Sequence, residues 1–260
     1  MRRGGFSLPA AWPSGRSRSR AEVRFLLGER RAAERITRRL FGRPLRPSDY
    51  AGLAGAPDTA IVEIGASDDR LYIEMRDAGS TTRGYYYVYL AASPILLIDG
   101  FRIGTRTMHR HGLGLQMFYR QARNAARLGV TRIEAVAGRR GDENGYYSWP
   151  RYGFDAPLPP RFRRSLPDDW QHLRGLLHLM SSERGRQWWR QHGFTLPVAF
   201  DLALGSRSRK TLTCYLRQRL MAGELTDANC LNSSAMGYGL ELHSMAIPVA
   251  HCPDEFDSKP

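Results

Sequence analysis

The residues whose types and spacing best suit chemistry lie between Asp99 and Leu115. Asp99-Gly100-Phe101-Arg102-Ile103 closes an apolar run, and His109-Arg110-His111-Gly112-Leu113-Gly114-Leu115 opens a helical one. A strand end, a glycine-bearing turn and a helix start together make an anion site. The first helical turn carries N–H groups without intrahelical partners and the positive end of the helix dipole. Glycines let a diphosphate approach that backbone closely. Arg106, His109, Arg110 and His111 add positive charge or donors beside it. Gly112 and Gly114 also have a plainer reading, in which they only permit a tight turn and close helix–sheet packing.

Other chemistries find less support. Cys230, His243, His251 and Cys252 share the C-terminal stretch, but their spacings lack the paired form of zinc ligands. No metal site is expected. No Gly-x-Ser-x-Gly elbow supports a serine nucleophile. The cysteines Cys214, Cys230 and Cys252 are odd in number and far apart, which argues against a disulfide framework and fits a reducing cytoplasm.

The elements that must position the anion site are legible in the periodicity. Ala60–Ile64, Leu71–Met75, Tyr85–Leu90 and Ile95–Ile103 are short runs rich in β-branched and aromatic residues, separated by turn residues. They predict an antiparallel meander. A helix over Gly112–Leu128 follows, stopped by Gly129, and then a strand over Thr131–Ala137. Upstream, Val23, Leu26, Leu27, Ala33, Ile36 and Leu40 recur near helical spacing, so 21–41 reads as helix. Downstream, helices are expected over Asp168–Met180, Ser182–His192 and Ser208–Met221, with a strand candidate at Leu196–Leu202. The Trp188-Trp189 pair reads as a packing anchor.

With this order in view, the Gly112/Gly114 segment resembles the coenzyme A diphosphate loop of the GNAT (GCN5-related N-acetyltransferase) superfamily. That loop has the pattern Arg/Gln-x-x-Gly-x-Gly/Ala at the start of the helix after the fourth strand, with His109 here in the place of Arg or Gln. Asn144-Gly145-Tyr146-Tyr147-Ser148-Trp149-Pro150-Arg151-Tyr152-Gly153-Phe154 is similar to the family's Asn-…-Tyr-…-Gly-Phe ending. Three departures stand out: Asn144 lies two residues closer to Gly153-Phe154 than usual, Trp149 occupies the tyrosine position four before the glycine, and Pro150 falls in the expected helix. About 100 of the 260 residues carry the resemblance, that of a divergent subgroup.

The resemblance implies an α+β domain with a splayed, mostly antiparallel mixed sheet and flanking helices, extended by C-terminal helices. It implies acetyl-CoA or another acyl-CoA as co-substrate and transfer of the acyl group to an unidentified amine. His109, Arg110, His111, Gly112, Leu113, Gly114 and Asn144 would hold the cofactor. Tyr147, or Tyr146, would supply the hydroxyl that protonates the departing thiolate. Direct transfer also needs a base within reach of the amine proton. Asp99 and Glu134 are the candidates, each with an alternative reading as a surface or salt-bridged carboxylate.

Composition frames the rest. The formal net charge is +14, and lysine occurs only at Lys210 and Lys259. Residues 1–50 hold thirteen arginines against four acids, whereas 223–260 hold six acids against one lysine. Such a surface draws anions without choosing among them. Nucleic acid is one such partner, but the N-terminal arginines do not interleave with aromatics as a stacking platform would. No apolar run reaches the ~18 residues of a membrane span. The expected organisation is a disordered basic tail (1–20), a helical segment (21–54), the GNAT-like domain (55–160), a helical extension (161–222) and a disordered tail (223–260). A GNAT-like module without catalysis is the alternative to an enzyme, and a nucleic-acid-binding basic protein the second; oligomeric state is open.

Overall fold

The structure, a computed structural model, describes residues 20–67, 69–79, 81–104, 112–141 and 143–223. Seven strands lie side by side in chain order: β1 (Glu22–Phe25), β2 (Ile61–Ser67), β3 (Arg70–Asp77), β4 (Thr82–Leu90), β5 (Pro94–Arg102), β6 (Arg132–Ala137) and β7 (Leu196–Asp201). The β1–β2 and β5–β6 pairs are parallel and the other four are antiparallel. Parallel neighbours need crossovers. Helices α1 (Arg30–Phe41) and α2 (Pro47–Leu53) make the first, and α3 (Leu113–Arg127) makes the second. Between β6 and β7 lie α4 (Gly145–Tyr152), the short α5 (Pro160–Arg163) and α6 (Leu176–Leu179), and α7 (Glu183–His192). Helix α8 (Arg207–Met221) follows β7. The chain is therefore α+β, a mixed sheet flanked by helices.

The meander alternates as a half-buried sheet must. On β3, Leu71, Ile73 and Met75 are buried while Tyr72 and Glu74 are half-buried; on β4, Tyr86 and Val88 are buried while Tyr85, Tyr87 and Tyr89 are half-buried. The buried set joins Ala33, Ile36, Leu53, Leu115, Phe118 and Ala122 of the helices in one core. The other set forms a tyrosine-rich face, where Tyr72 and Tyr87 pair across strands with ring centroids 5.4 Å apart.

Two expectations from the periodicity are corrected. Residues 21–41 are not one helix, because Glu22–Phe25 is a strand. Val23 and Phe25 turn inward with period two, and Phe25 meets Tyr50 edge-on at 5.7 Å. Leu26 N–H then donates to Ile64 O, and Leu27, expected in an inward stripe, is fully exposed. A two-residue and a four-residue recurrence cannot be separated in so short a run. Asp168–Met180 is likewise not continuous: a 3-10 turn at Asp168–Trp170 and α6 are separated where Gly175 bridges Pro157. The strand candidate at 196–202 is β7, paired with β6 along its whole length, so part of the 161–222 extension completes the sheet. Residues 1–19 and 224–260, with Cys230, His243, His251 and Cys252, lie outside the described residues. Among the described residues no helix is long and apolar enough to cross a membrane.

Asp49 ties α2 to α3. Its carboxylate accepts from the Arg46 N–H at 3.0 Å and from Arg127 Nη2 at 2.5 Å, with Arg43 at 3.5 Å. Burial alone would raise its pKa. The Arg127 bond, the Arg46 amide and the nearby guanidinium charges outweigh this and hold it below the usual carboxylate range. A carboxylate with a lowered folded pKa stabilises fully above its unfolded pKa, about 3.9, and loses that contribution as pH falls through the folded value. Asp49→Asn should therefore cost roughly 1–3 kcal/mol at neutral pH. The gap from wild type should close below about pH 4 in urea titrations run against pH. A gap that stayed constant into acid would show that the charge on Asp49 is not what stabilises this junction.

Candidate active site

The site begins with a single extra residue. On β5, Gly100 faces Tyr85 and Ile98 faces Tyr86, so Asp99 is a bulge in the β4–β5 ladder. The parallel β5–β6 ladder ends at the same level, with Ile98 opposite Ala135 as its last pair. Beyond it, Gly100–Arg102 pair with β4, and Val136 and Ala137 pair with β7. Two adjacent parallel strands thus part company midway and open a wedge in the sheet.

A cleft of about 1380 Å³ fills this wedge and runs to the start of α3. Gly112 forms the α3 N-cap at φ 66°, ψ 20°, a left-handed backbone that glycine adopts freely. Gly112 brings no side chain to cap this terminus, and no acid stands in its first turn. Gly112 O accepts the first helical bond, from Gln116 N–H at 3.0 Å. Gly112, Gly114 and Leu115 line the cleft, so the positive end of α3 meets it. Gly114 also serves packing: a Cβ there would lie 3.0 Å from Ile103 Cδ1 and 3.3 Å from Tyr152 Oη. Both readings of this glycine thus have a physical basis.

The opposite wall is α4. Asn144, Tyr147, Ser148 and Arg151 recur at helical spacing and line the cleft. Asn144 Oδ1 accepts from Ser148 Oγ at 3.0 Å. Trp149, the departure from the tyrosine of the resembled pattern, is buried among Phe101, Phe118, Tyr152 and Phe154, with centroids 4.9–6.1 Å away. Pro150 does lie inside this helix. It cannot donate to Tyr146 O, and the Trp189 indole N–H does so instead at 2.8 Å. Trp189 is fully buried.

The sequence candidates are thus sorted by position. Asp99, Tyr147, Gly112, Gly114 and Asn144 meet at the cleft. Glu134 is not brought to it: its carboxylate is taken by Tyr89 Oη at 2.7 Å and Arg132 Nη2 at 2.6 Å, and it fits the salt-bridged reading. Burial, then the bond to Glu134, raises the Tyr89 pKa. Tyr146 donates to Arg190 O at 3.0 Å and is absent from the lining. Leu113 is half-buried against the core rather than at the cleft. His109, Arg110 and His111 lie outside the described residues.

Several lining residues had no role from sequence. Arg83 and Tyr85 come from β4, Tyr152 from α4, and Tyr215 and Arg219 from α8. Burial pushes the Tyr152 hydroxyl well above the usual phenol range. Five arginines line the cleft (Arg83, Arg102, Arg140, Arg151 and Arg219) against the carboxylates of Asp99 and Glu143. That excess favours an anionic ligand. No group of His, Cys, Asp and Glu among the described residues could hold a metal ion. No family model matches the chain, and no curated protein matches it.

Proposed function

We propose that the chain is an acyl-CoA-dependent N-acyltransferase of the GNAT type. The observation that carries this reading is the wedge between β5 and β6, opened at the Asp99 bulge and lined at one end by the glycine start of α3. Parted strand edges suit an extended, amide-bearing arm, which can take hydrogen bonds as an added strand would. The helix N-terminus suits the diphosphate of the same molecule. The residues present therefore fit the co-substrate.

In this mechanism the α3 backbone at Gly112–Leu115 holds the diphosphate, and the cleft arginines neutralise it. The bound thioester supplies an activated acyl carbonyl. Asp99, exposed on its bulge at the cleft, accepts a proton from the attacking amine. Tyr147 stands in the cleft as the hydroxyl that can return a proton to the departing sulfur. A binding module without turnover is the second reading. Trp149, which has no hydroxyl, favours it.

Calorimetry at low salt with coenzyme A and desulfo-coenzyme A tests the reading, since both should bind. No heat at millimolar ligand would remove it. Gly114→Ala and Gly114→Asp then separate packing from electrostatics, because both add a Cβ against Ile103 and only one adds a charge. Losing the equivalent of one charge-assisted hydrogen bond is worth roughly 1.5–3 kcal/mol, so Asp should bind about 10–150-fold more weakly than Ala. Equal affinities in two folded variants would place the anion elsewhere.

A further inference from the structure

The cleft is lined from both faces of the sheet. On β5, Phe101 and Ile103 face α3: a Cβ on Gly114 would lie 3.7 Å from Phe101 Cε1 and 3.0 Å from Ile103 Cδ1. Strand alternation then puts Gly100 and Arg102 on the opposite face. On β4, Thr82, Gly84 and Tyr86 are buried, while Arg83 is exposed and Tyr85 half-buried. Arg83 and Tyr85 share the face of their ladder partners, Arg102 and Gly100. These four and Asp99, the bulge residue beside Gly100, all line the cleft.

Arg83 and Arg102 stand directly opposite each other in the β4–β5 ladder. Like charges so placed destabilise a sheet. Arg76 stands opposite Arg83 on β3, but Glu63 and Glu74 answer it. Among the described residues no carboxylate pairs with Arg83. Two guanidinium forks one strand spacing apart can close on a single carboxylate or phosphate, which would relieve their repulsion. The ring of Tyr85 comes next: a Cβ on Gly100 would lie 3.2 Å from its Cδ2, so the ring rests against the bulged strand. The Asp99 carboxylate follows. Twin cations, an aromatic ring and a proton acceptor thus succeed one another, with Arg102 and Gly100 roughly 7 Å apart along the strand.

We infer that the acceptor is an amine bearing an anionic group, carboxylate or phosphate, at a strand-pair distance of roughly 7 Å from its nitrogen. Arg83 and Arg102 hold the anion, Tyr85 covers the chain between, and the amine lies at Asp99. The inference rests on the acyl-CoA reading. In it the amine nitrogen bonds to the acyl carbon as the carbon–sulfur bond breaks, Asp99 takes the amine proton, and Tyr147 protonates the sulfur. The products are an amide and a thiol. The diphosphate lies on the α3 face, so its neutralisation falls to the other cleft arginines, Arg140, Arg151 and Arg219. Thiol release from acetyl-CoA at low salt is compared for ε-aminocaproate, aminopentyl phosphate, hexylamine and hexanediamine. Calorimetry measures the same amines against the full chain with and without desulfo-coenzyme A. Wild type should favour the anionic amines over hexylamine about tenfold or more, and whichever leads names the anion. Arg83→Gln and Arg102→Gln, both at exposed positions, should each bring that ratio towards one. Arg83→Glu should turn the preference to hexanediamine, which a structural role for Arg83 would not do.

The outcomes divide the two claims. If coenzyme A binds but anionic amines gain nothing in turnover or binding, or their advantage survives all three variants, the acceptor assignment is overturned and the acyl-CoA reading stands. If Arg83→Gln weakens coenzyme A and leaves the amine ratio as it was, the arginine pair belongs to the co-substrate, and the assignment is again overturned. If coenzyme A does not bind while ε-aminocaproate does, in an Arg83-dependent way, the anionic-amine site stands and the acyl-CoA reading falls. If neither binds, both fall.

Discussion

Trp189→Ala is expected to destabilise the protein by roughly 3–5 kcal/mol, the usual cost of emptying a buried aromatic site. Trp189 has no exposed surface, and its ring packs against Phe162 and Phe194 at 5.5 and 5.6 Å. The more telling variant is Trp189→Phe, which keeps most of the volume and removes the indole donor. Tyr146 O then loses its partner, because Pro150 cannot supply the helical N–H at that place. That carbonyl is only partly buried, so leaving it unsatisfied costs about 1 kcal/mol. Pro150→Ala restores a backbone donor to the same carbonyl. The Trp189→Phe penalty should therefore shrink by about 1 kcal/mol in a Pro150→Ala background. Urea unfolding of the four proteins measures this coupling. An identical penalty in both backgrounds would show that the indole bond to α4 contributes nothing beyond packing.

That pair also shows what a single sequence can and cannot reveal. Pro150 is visible as a helix breaker, and Trp188-Trp189 as an anchor. That one residue cures the other's defect, 39 positions away, is a property of packing alone. The β2–β5 meander and α3 were legible because each buries one face of a regular period. β1 was not, because Val23, Phe25 and Leu26 satisfy two periods until β2 supplies a partner for the edge. The glycine turn was legible, but the wedge was not. It depends on the register between β4 and β5, where Asp99 is the surplus residue, and register is a property of two strands. The arginine–tyrosine contacts beside the cleft have a sequence counterpart: Tyr147/Arg151 and Tyr215/Arg219 are both Tyr-x-x-x-Arg pairs, each on one face of a helix. Arginine does interleave with aromatics in this protein, in space rather than along the basic N-terminus.

The largest functional effect is expected at Asp99. In the proposed mechanism it is the one carboxylate on a strand that reaches the cleft where β5 and β6 part, and it is exposed there rather than committed to an ion pair among the described residues. Asp99→Asn keeps the shape and removes the proton acceptor. A positioned base contributes about 10²–10⁴-fold, so kcat should fall by that factor. Affinity for coenzyme A should stay within a few-fold, because the diphosphate end of the cleft is untouched. Glu134→Gln is the internal control. Its carboxylate is occupied by Tyr89 and Arg132, so kcat should stay within about threefold, since a carboxylate off the reacting atoms lowers no barrier. Thiol release from acetyl-CoA in the presence of a broad amine panel reads both variants. Raising pH should not rescue Asp99→Asn if the carboxylate is the base. Rescue at high pH would mean that Asp99 only sets the amine's protonation state. Equal losses in Asp99→Asn and Glu134→Gln would mean that neither carboxylate is the base. Turnover unchanged in Asp99→Asn would take the proton transfer away from the bulge altogether.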